Sequence, residues 1–226
     1  MAMDWHDLLF IHWPVSANLL RPLIPRPLEL ETFDSTAWVG VIPFRMTGVR
    51  PRQVPARVWQ AEFAELNVRT YVRYQDKPGV WFFSLDAASR LAVRTARALY
   101  HLPYYYARMT VSESNGTIFY QSRRMHKGAL PAEFAANYRP TGTAVGAVQG
   151  SLAHWLTERY CLYAADRSGK LFRGDIHHLP WPLQPAEAEI NTNAMTESLG
   201  INLPEVEPLL HFAKDLRVVA WALHRC

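Results

Sequence analysis

One ten-residue segment, FAELNVRTYV (residues 63–72), constrains the fold more than any other part of the chain, because its side chains alternate strictly in character. Period-two alternation over this length predicts a β-strand with two different faces. The apolar face carries Leu66, Val68, Thr70 and Val72, and the polar face carries Glu65, Asn67, Arg69 and Tyr71. Antiparallel sheets commonly expose one face to water, which is the simplest interpretation of the polar row. An acid, an amide, a guanidinium and a phenol are an unusual set for a solvated face, so a row that lines a site is the alternative.

Turn residues join most of the other predicted strands directly, as in β-hairpins. Single strands are also predicted at Leu8–Trp13, at TAWVGVIPFRMTGV, at AEAEIN and at RVVAWAL. Gly40 and Pro43 in the second of these indicate a bulge or an edge position. The predicted hairpins are FAELNVRTYVRY–QDKPG–VWFFSL, YYYARMTVSE–SNG–TIFYQSRRM and RYCLYAAD–RSG–KLFRGDIHH.

Helical segments are few. Ser16 is the predicted N-cap of a short helix that stops before Pro25, and SLAHWLTE predicts another short helix. Asp86 is the predicted cap of the clearest helix, which covers residues 87–101. We therefore expect an α+β fold, a mainly antiparallel closed or cone-like β-barrel with a few outer helices. No linker or repeat divides the chain, so residues 1–226 are expected to form a single domain.

Composition argues against several classes of partner. The net charge is +4, but the basic residues are scattered, and Arg50-Pro51-Arg52 and Arg123-Arg124 are too short for a nucleic-acid footprint. The N-terminus lacks a signal-peptide pattern, and no apolar run approaches the length that crosses a bilayer. The two cysteines form neither a disulfide framework nor a metal-ligand spacing. The expectation is a soluble, cytoplasmic protein that binds neither nucleic acid nor membrane.

The common catalytic motifs are absent. Nine histidines include the pair His177-His178, and His154 stands four residues before Glu158, but two ligands do not make a metal site. The chain also lacks a G-x-S-x-G elbow, a dinucleotide-binding glycine motif and a Walker loop. We therefore predict no metal and no cofactor.

Two other segments contain clustered polar side chains. Arg90, Arg94 and Arg97 lie along one stripe of the long predicted helix. The simpler interpretation of this stripe is a solvated helix face, and the alternative is an anion-binding site. Tyr104 and Tyr106 share one face of the strand that follows that helix. Their hydroxyl groups belong either to aromatic packing or to a site.

Several blocks, beginning with FIHWPVSANLLRPLIPRPLELETFDSTAWVGVIPFRM and continuing with FAELNVRTYV, GVWFFSLDA, LPYYYARM and HHLPWPL, resemble the uncharacterised bacterial DUF2071 or YqjF-like family. The resemblance runs from about Phe10 to the C-terminus. That family is similar to acetoacetate decarboxylase, whose L-R-x-x-(V/I)-P-x-P-L-E run matches Leu20 to Glu29. The resemblance implies an antiparallel β-cone around a pocket, usually in a homo-oligomer.

The chain departs from acetoacetate decarboxylase at the catalytic position. The decarboxylase has a lysine pair after the proline that opens this strand, and its first lysine forms a Schiff base with the substrate. Here Pro103 is followed by Tyr104 and Tyr105. Lys77, Lys127 and Lys170 lie in predicted turns or beside glycine, where they are not desolvated, and Lys214 is ambiguous. Imine-forming decarboxylation is therefore not expected.

In a cone, the polar row of residues 63–72 would face an enclosed pocket. Arg69 suits a carboxylate, Asn67 a carbonyl, and Glu65 or Tyr104 a proton transfer. The candidate catalytic residues are Glu65 and Tyr104, and the candidate substrate-binding residues are Asn67, Arg69, Arg97 and His12. The expected ligand is a small keto or hydroxy acid. Two functions stay open, a lyase- or hydratase-type enzyme that forms no imine and a non-catalytic binding or sensing barrel.

Overall fold

The structure, a computed structural model, describes residues 1–50 and 61–226. Pro51 and Arg52 of the short basic cluster lie outside the described residues. Strands dominate the described ranges, with three helices and two 3-10 turns, at Arg21–Leu23 and Glu197–Leu199. The strands are β1 (Ala2–Val15), β2 (Glu29–Leu30), β3 (Ala37–Arg50), β4 (Ala61–Tyr74), β5 (Lys77–Ala87), β6 (Tyr104–Ser114), β7 (Thr117–Arg124), β8 (Glu133–Pro140), β9 (Cys161–Ala165), β10 (Leu171–His177), β11 (Gln184–Asn193), β12 (Leu209–Ala220) and β13 (His224–Arg225). The helices are α1 (Ala17–Leu20), α2 (Arg90–Tyr100) and α3 (Leu152–Thr157).

All thirteen strands of the described ranges belong to one hydrogen-bonded order, β13-β10-β9-β5-β6-β7-β8-β11-β12-β1-β3-β4-β2. Two further pairings, β4 with β5 and β10 with β12, join strands that stand apart in that order. The sheet is largely antiparallel, as predicted, and the parallel pairs are β5–β6 and β5–β9. The prediction of a single domain over residues 1–226 stays a prediction.

The three predicted hairpins are present as β4–β5, β6–β7 and β9–β10. Strand β8 was not predicted, although its sequence EFAANYRP carries a period-two pattern. Its buried residues Phe134, Ala136 and Tyr138 alternate with more exposed neighbours. The small alanines and the asparagine hide this alternation from a hydropathy pattern.

Strand β3 contains Gly40 and Pro43, for which the sequence predicted either a bulge or an edge position. The edge position is wrong, because β3 pairs with β1 on one side and with β4 on the other. An irregularity is present, however, because the β1–β3 register shifts between the pairs His6–Arg45 and Ile11–Val41. Pro43 lies inside this interval, where its missing N–H removes a ladder hydrogen bond.

Helix α2 begins later than predicted, at Arg90, and its N-cap is Ser89 rather than Asp86. The Ser89 hydroxyl accepts a hydrogen bond from the backbone N–H of Ala92 at 3.2 Å. Asp86 instead lies in β5, where its buried carboxylate accepts hydrogen bonds from Nε and Nη2 of the Arg124 guanidinium. The predicted cap was wrong because a long-range ion pair holds this carboxylate in the strand.

Strand β4 is buried on both faces, and this positions the site. Leu66, Val68 and Val72 pack into the main apolar core together with Tyr120 and Tyr138. The opposite face of β4 therefore points away from that core. No helix in the described ranges has the length and the apolar character needed to cross a membrane.

Candidate functional site

A cavity of about 330 Å³ lies against the second face of β4. Its wall is mostly apolar and is built by β1, β3, β4, β5, β9, β10 and β12, with the start of β6 and helix α2 on one side. Leu91 of α2 and Trp221 after β12 are 61% and 42% exposed, so the cavity opens beside them. Representative apolar wall residues are Trp5, Ile42, Phe44, Phe82, Leu85 and Leu102.

Three residues of the polar row of β4 line this cavity. Glu65, Asn67 and Arg69 are only 3%, 5% and 8% exposed. The interpretation of this row as a solvated face is therefore wrong. The row instead forms a polar strip in an otherwise apolar wall.

Glu65 and Tyr104 are hydrogen-bonded in the cavity wall. The parallel pairing of β5 with β6 sets Tyr104 opposite Leu85, and the Tyr104 hydroxyl donates to Glu65 Oε2 at 2.8 Å. Burial raises the pKa of Glu65 to about 8, and the nearby Asp86 carboxylate adds to this rise against the opposing hydrogen bond from Tyr104. At neutral pH Glu65 is therefore mostly protonated. It can donate a proton to a ligand, which an ordinary glutamate cannot do at this pH.

Arg69 is a buried cation that forms no ion pair with any acidic side chain in the described ranges. Its Nη2 donates to the carbonyl oxygen of Leu156 at 3.2 Å and to the Tyr71 hydroxyl at 3.4 Å. Its Nε has no hydrogen-bond partner. The guanidinium carbon lies 5.3 Å from the ring centroid of Phe10 and 5.6 Å from that of Tyr71. Neutral carbonyl, hydroxyl and ring groups thus hold the charge without neutralising it.

A second guanidinium lies at the same end of the cavity. Arg159 is 5% exposed, and its guanidinium carbon lies 5.1 Å from the Tyr71 ring centroid. Its Nη1 donates to Glu31, which also accepts from Arg73, while its own Nη2 is buried without a partner. Burial lowers the pKa of Arg159, and the positive charge of Arg69 acts in the same direction against the opposing effect of Glu31. This end of the cavity therefore has an excess of positive charge.

Asn67 stands between these two polar regions on the face of β4 that lines the cavity. Its side-chain Oδ1 is buried without a hydrogen-bond partner. An unpaired buried polar group costs about 1–3 kcal/mol, so Asn67, like Arg69, has bonding capacity that a ligand would satisfy.

His12 lies behind the wall rather than in it. Its Nε2 is 2.6 Å from the Tyr71 hydroxyl. Burial lowers the pKa of His12 well below its ordinary value, and the charge of Arg69 adds to the effect. A neutral imidazole with its proton on Nδ1 can accept a hydrogen bond from the Tyr71 hydroxyl at Nε2, while the Tyr71 oxygen accepts one from Arg69 Nη2. His12 thus positions the cationic end and does not line the cavity.

Arg97 is not brought to the cavity. Its side chain is on the exposed face of α2, and its Nη1 donates to the backbone oxygen of Tyr104 at 2.7 Å. The prediction that Arg97 binds substrate has no support from this position. The cavity-facing side of α2 consists instead of small or apolar side chains such as Ala92, Thr95 and Ala96.

Sequence reasoning missed Arg159 and assigned no role to His178. Both line the cavity, and both are nearly buried. His178 stacks on Tyr160 with ring centroids 4.7 Å apart, and its Nδ1 donates to the Leu179 oxygen at 2.7 Å. Their only sequence signal was their place in or beside the RYCLY and HHLPWPL blocks. Within the described ranges, no three His, Cys, Asp or Glu side chains are close enough together to hold a metal ion.

None of the four lysines, all within the described ranges, lines the cavity. Lys127 and Lys170 are exposed, and Lys77 pairs with Asp175 at 3.0 Å. Lys214 forms a 2.6 Å ion pair with Asp7, which raises the pKa of this lysine. An ion-paired ammonium that stays protonated is a poor nucleophile.

Sequence comparison finds a family model and a relative that match nearly the whole chain. The model of the DUF2071 family, described as an uncharacterized conserved protein, matches residues 2–217. The uncharacterized protein YqjF of Bacillus subtilis (strain 168) is 49% identical over 225 residues, which cover 100% of this chain and 92% of that protein.

Comparison with solved structures shows the fold. An acetoacetate decarboxylase-like enzyme from Sphingomonas wittichii RW1 superimposes with a TM-score of 0.67 at 13% identity, covering 100% of this chain and 92% of that one. The enduracididine biosynthesis enzyme MppR in complex with pyruvate gives a TM-score of 0.68 at 10% identity, covering 99% of this chain and 89% of that one. The architecture is thus that of acetoacetate decarboxylase-like proteins.

Proposed function

This chain belongs to the DUF2071 family, and we propose that it binds a small carboxylate- or carbonyl-bearing molecule in the cavity beside β4. The observation that carries the proposal is the buried Arg69, which faces the cavity without an acidic partner in the described ranges. A buried charge is costly unless it is paired, and a ligand carboxylate would pair with this one. The unpartnered Nη2 of Arg159 supports the same site for an anion.

We also propose that the strands around the cavity close into a cone. The pairings of β4 with β5, β5 with β9 and β10 with β12 support this closure, because they link the strands of the cavity wall in succession. Closure would send alternate residues of β4 inward and account for the polar strip. The pyruvate named for the MppR complex is a small carboxylate of the proposed ligand class.

The chemistry proposed for this site is a proton transfer without an imine. Arg69 holds the carboxylate of the ligand. In a dehydration, protonated Glu65 donates its proton to the departing hydroxyl group as the C–O bond breaks and water leaves. The carboxylate formed on Glu65 takes the proton of the neighbouring C–H bond, whose electron pair forms the double bond, and hydration is the reverse. Tyr104 donates to Glu65 and stabilises the carboxylate that remains. A lyase- or hydratase-type reaction fits these roles.

The alternative is a binding or sensing protein that uses the same cavity without turnover. The absence of lysine from the cavity wall favours it, since the imine chemistry of acetoacetate decarboxylase has no nucleophile here. The two functions differ in the fate of the ligand, because an enzyme consumes it and a binding protein leaves it unchanged. Incubating the protein with each stabilising compound and measuring that compound by NMR distinguishes them.

The first experiment is a thermal-shift screen of keto and hydroxy acids. A ligand at a hundredfold excess over its Kd stabilises the folded state by about 2.7 kcal/mol. At least one acid should raise the melting temperature of the wild type and of Arg217→Ala, a control on the exposed side of β12. The same acid should have little effect on Arg69→Ala. If no acid stabilises the wild type, or if Arg69→Ala responds fully, the proposed function is wrong.

A further inference from the structure

The two polar regions of the cavity are far apart. Glu65 and Arg69 are separated by four residues of β4, which corresponds to roughly 13 Å along the strand. The Arg69 guanidinium is held by the Tyr71 hydroxyl and the Leu156 carbonyl oxygen. Tyr71 lies two residues farther from Glu65, so these contacts draw the charge away from Glu65. A short keto acid bound at Arg69 would not reach the Glu65 carboxyl group.

The space between and around these regions is apolar and large. Ile42, Phe44, Phe82 and Leu85 belong to strands that pair with β4 and line the cavity around Asn67. The volume of about 330 Å³ is more than twice the ~150 Å³ of an apolar cavity that accommodates benzene. Pyruvate or acetoacetate would therefore occupy the cationic end and leave much of the apolar wall without contacts.

We infer that the ligand is a medium-chain carboxylic acid that binds in an extended form. Its carboxylate pairs with Arg69, and its hydrocarbon body contacts the apolar wall. A carbonyl or hydroxyl group, where the ligand carries one, lies near Glu65, several carbons from the carboxylate. The inference rests on the proposed function, since it uses the same site, and it names the class of ligand.

Chain length is the quantity that tests this inference. Burying one methylene contributes about 0.8 kcal/mol, which is about fourfold in Kd. From butanoate to octanoate four methylenes are added, so affinity should rise on the order of a hundredfold if most of them are buried. The rise should stop once the chain reaches the opening beside Leu91.

The experiment is calorimetric titration of butanoate, hexanoate, octanoate and decanoate, with pyruvate, acetoacetate and octan-1-ol as references. We expect octanoate to bind on the order of a hundredfold more tightly than butanoate. Octan-1-ol, which has the same tail without the charge, should bind at least tenfold more weakly than octanoate. Arg69→Ala should remove most of this difference between acid and alcohol.

A matched pair of variants tests where the tail lies. Ala96→Phe enlarges a residue of α2 that lines the cavity, whereas Ala98→Phe makes the same change on the exposed side of the helix. Ala96→Phe should weaken octanoate binding at least tenfold and leave butanoate unchanged, and Ala98→Phe should affect neither.

The outcomes separate the inference from the proposed function. If pyruvate or acetoacetate binds through Arg69 and affinity does not rise with chain length, the inference is wrong and the proposed function stands. If no acid of either kind binds, both are wrong. Octan-1-ol binding as tightly as octanoate, or equal effects of the two phenylalanine variants on octanoate, would also overturn the inference.

Discussion

Replacing Glu65 with glutamine should change the pH dependence of stability in a defined direction. The carboxyl group has a pKa of about 8 in the folded protein, against an ordinary value of 4.5. The folded state therefore binds more protons than the unfolded state between these values, and the free energy of unfolding falls as the pH rises through this window. Glutamine keeps the shape and can accept from Tyr104, but it does not ionise.

The magnitude follows from the two pKa values. Each unit of difference in pKa between the folded and unfolded states corresponds to about 1.4 kcal/mol. Ionising Glu65 therefore lowers the free energy of unfolding by on the order of 5 kcal/mol at high pH. Between about pH 5.5 and about pH 8.5 the wild type should lose about 3 kcal/mol through this group alone. Glu65→Gln should therefore be more stable than the wild type at the alkaline end.

Urea unfolding at a series of pH values measures this difference directly. The control is Glu62→Gln, which changes a glutamate of the same strand whose side chain is 67% exposed. The wild type and Glu62→Gln should show parallel pH profiles, and the profile of Glu65→Gln should diverge upward with increasing pH. A constant difference between Glu65→Gln and the wild type would refute the assignment of a neutral, buried carboxyl group.

Three further predictions concern the site and its support. Arg69→Ala should weaken the binding of a carboxylate ligand by about 1.5–3 kcal/mol, measured by calorimetry, because it removes a charge-assisted hydrogen bond; an unchanged Kd would place the carboxylate elsewhere. Borohydride added with acetoacetate should trap no adduct detectable by mass spectrometry, and a reduced adduct on any lysine would contradict this. Asp86→Asn should lower the free energy of unfolding by about 3–5 kcal/mol, since it leaves the Arg124 charge buried and unpaired. Glu187→Gln, in a pair more than half exposed, should cost at most about 1 kcal/mol in the same assay.

The features that sequence reasoning recovered are those set by local patterns. The alternation in residues 63–72 and the turn residues after Tyr74 are contained in short segments, so β4 and its hairpin with β5 were predictable. The same alternation singled out Glu65, Asn67 and Arg69. The pattern alone did not decide between solvent and site, because the elements that cover this face are distant in the chain.

The features that sequence reasoning missed depend on contacts between distant residues. Asp86 has the right chemistry for an N-cap, but Arg124, 38 residues away, forms an ion pair with it in β5, and α2 begins after Ser89 instead. Arg159 lies at the cationic end near Arg69 and forms an ion pair with Glu31, which is 128 residues from Arg159. No local periodicity encodes such partners. The positive charge of the cavity therefore became evident only in the folded arrangement.

The claim that this cavity binds a carboxylate at Arg69 is tested most directly by a crystal structure with a bound acid. Crystals soaked in a bromine-labelled hexanoate would show the carboxylate in the electron density and the bromine by its anomalous scattering. We predict that both carboxylate oxygens lie within hydrogen-bonding distance of the Arg69 guanidinium, with the bromine among the apolar wall residues. A carboxylate that points toward Leu91 and the open end, with no ligand oxygen at Arg69, would contradict the account.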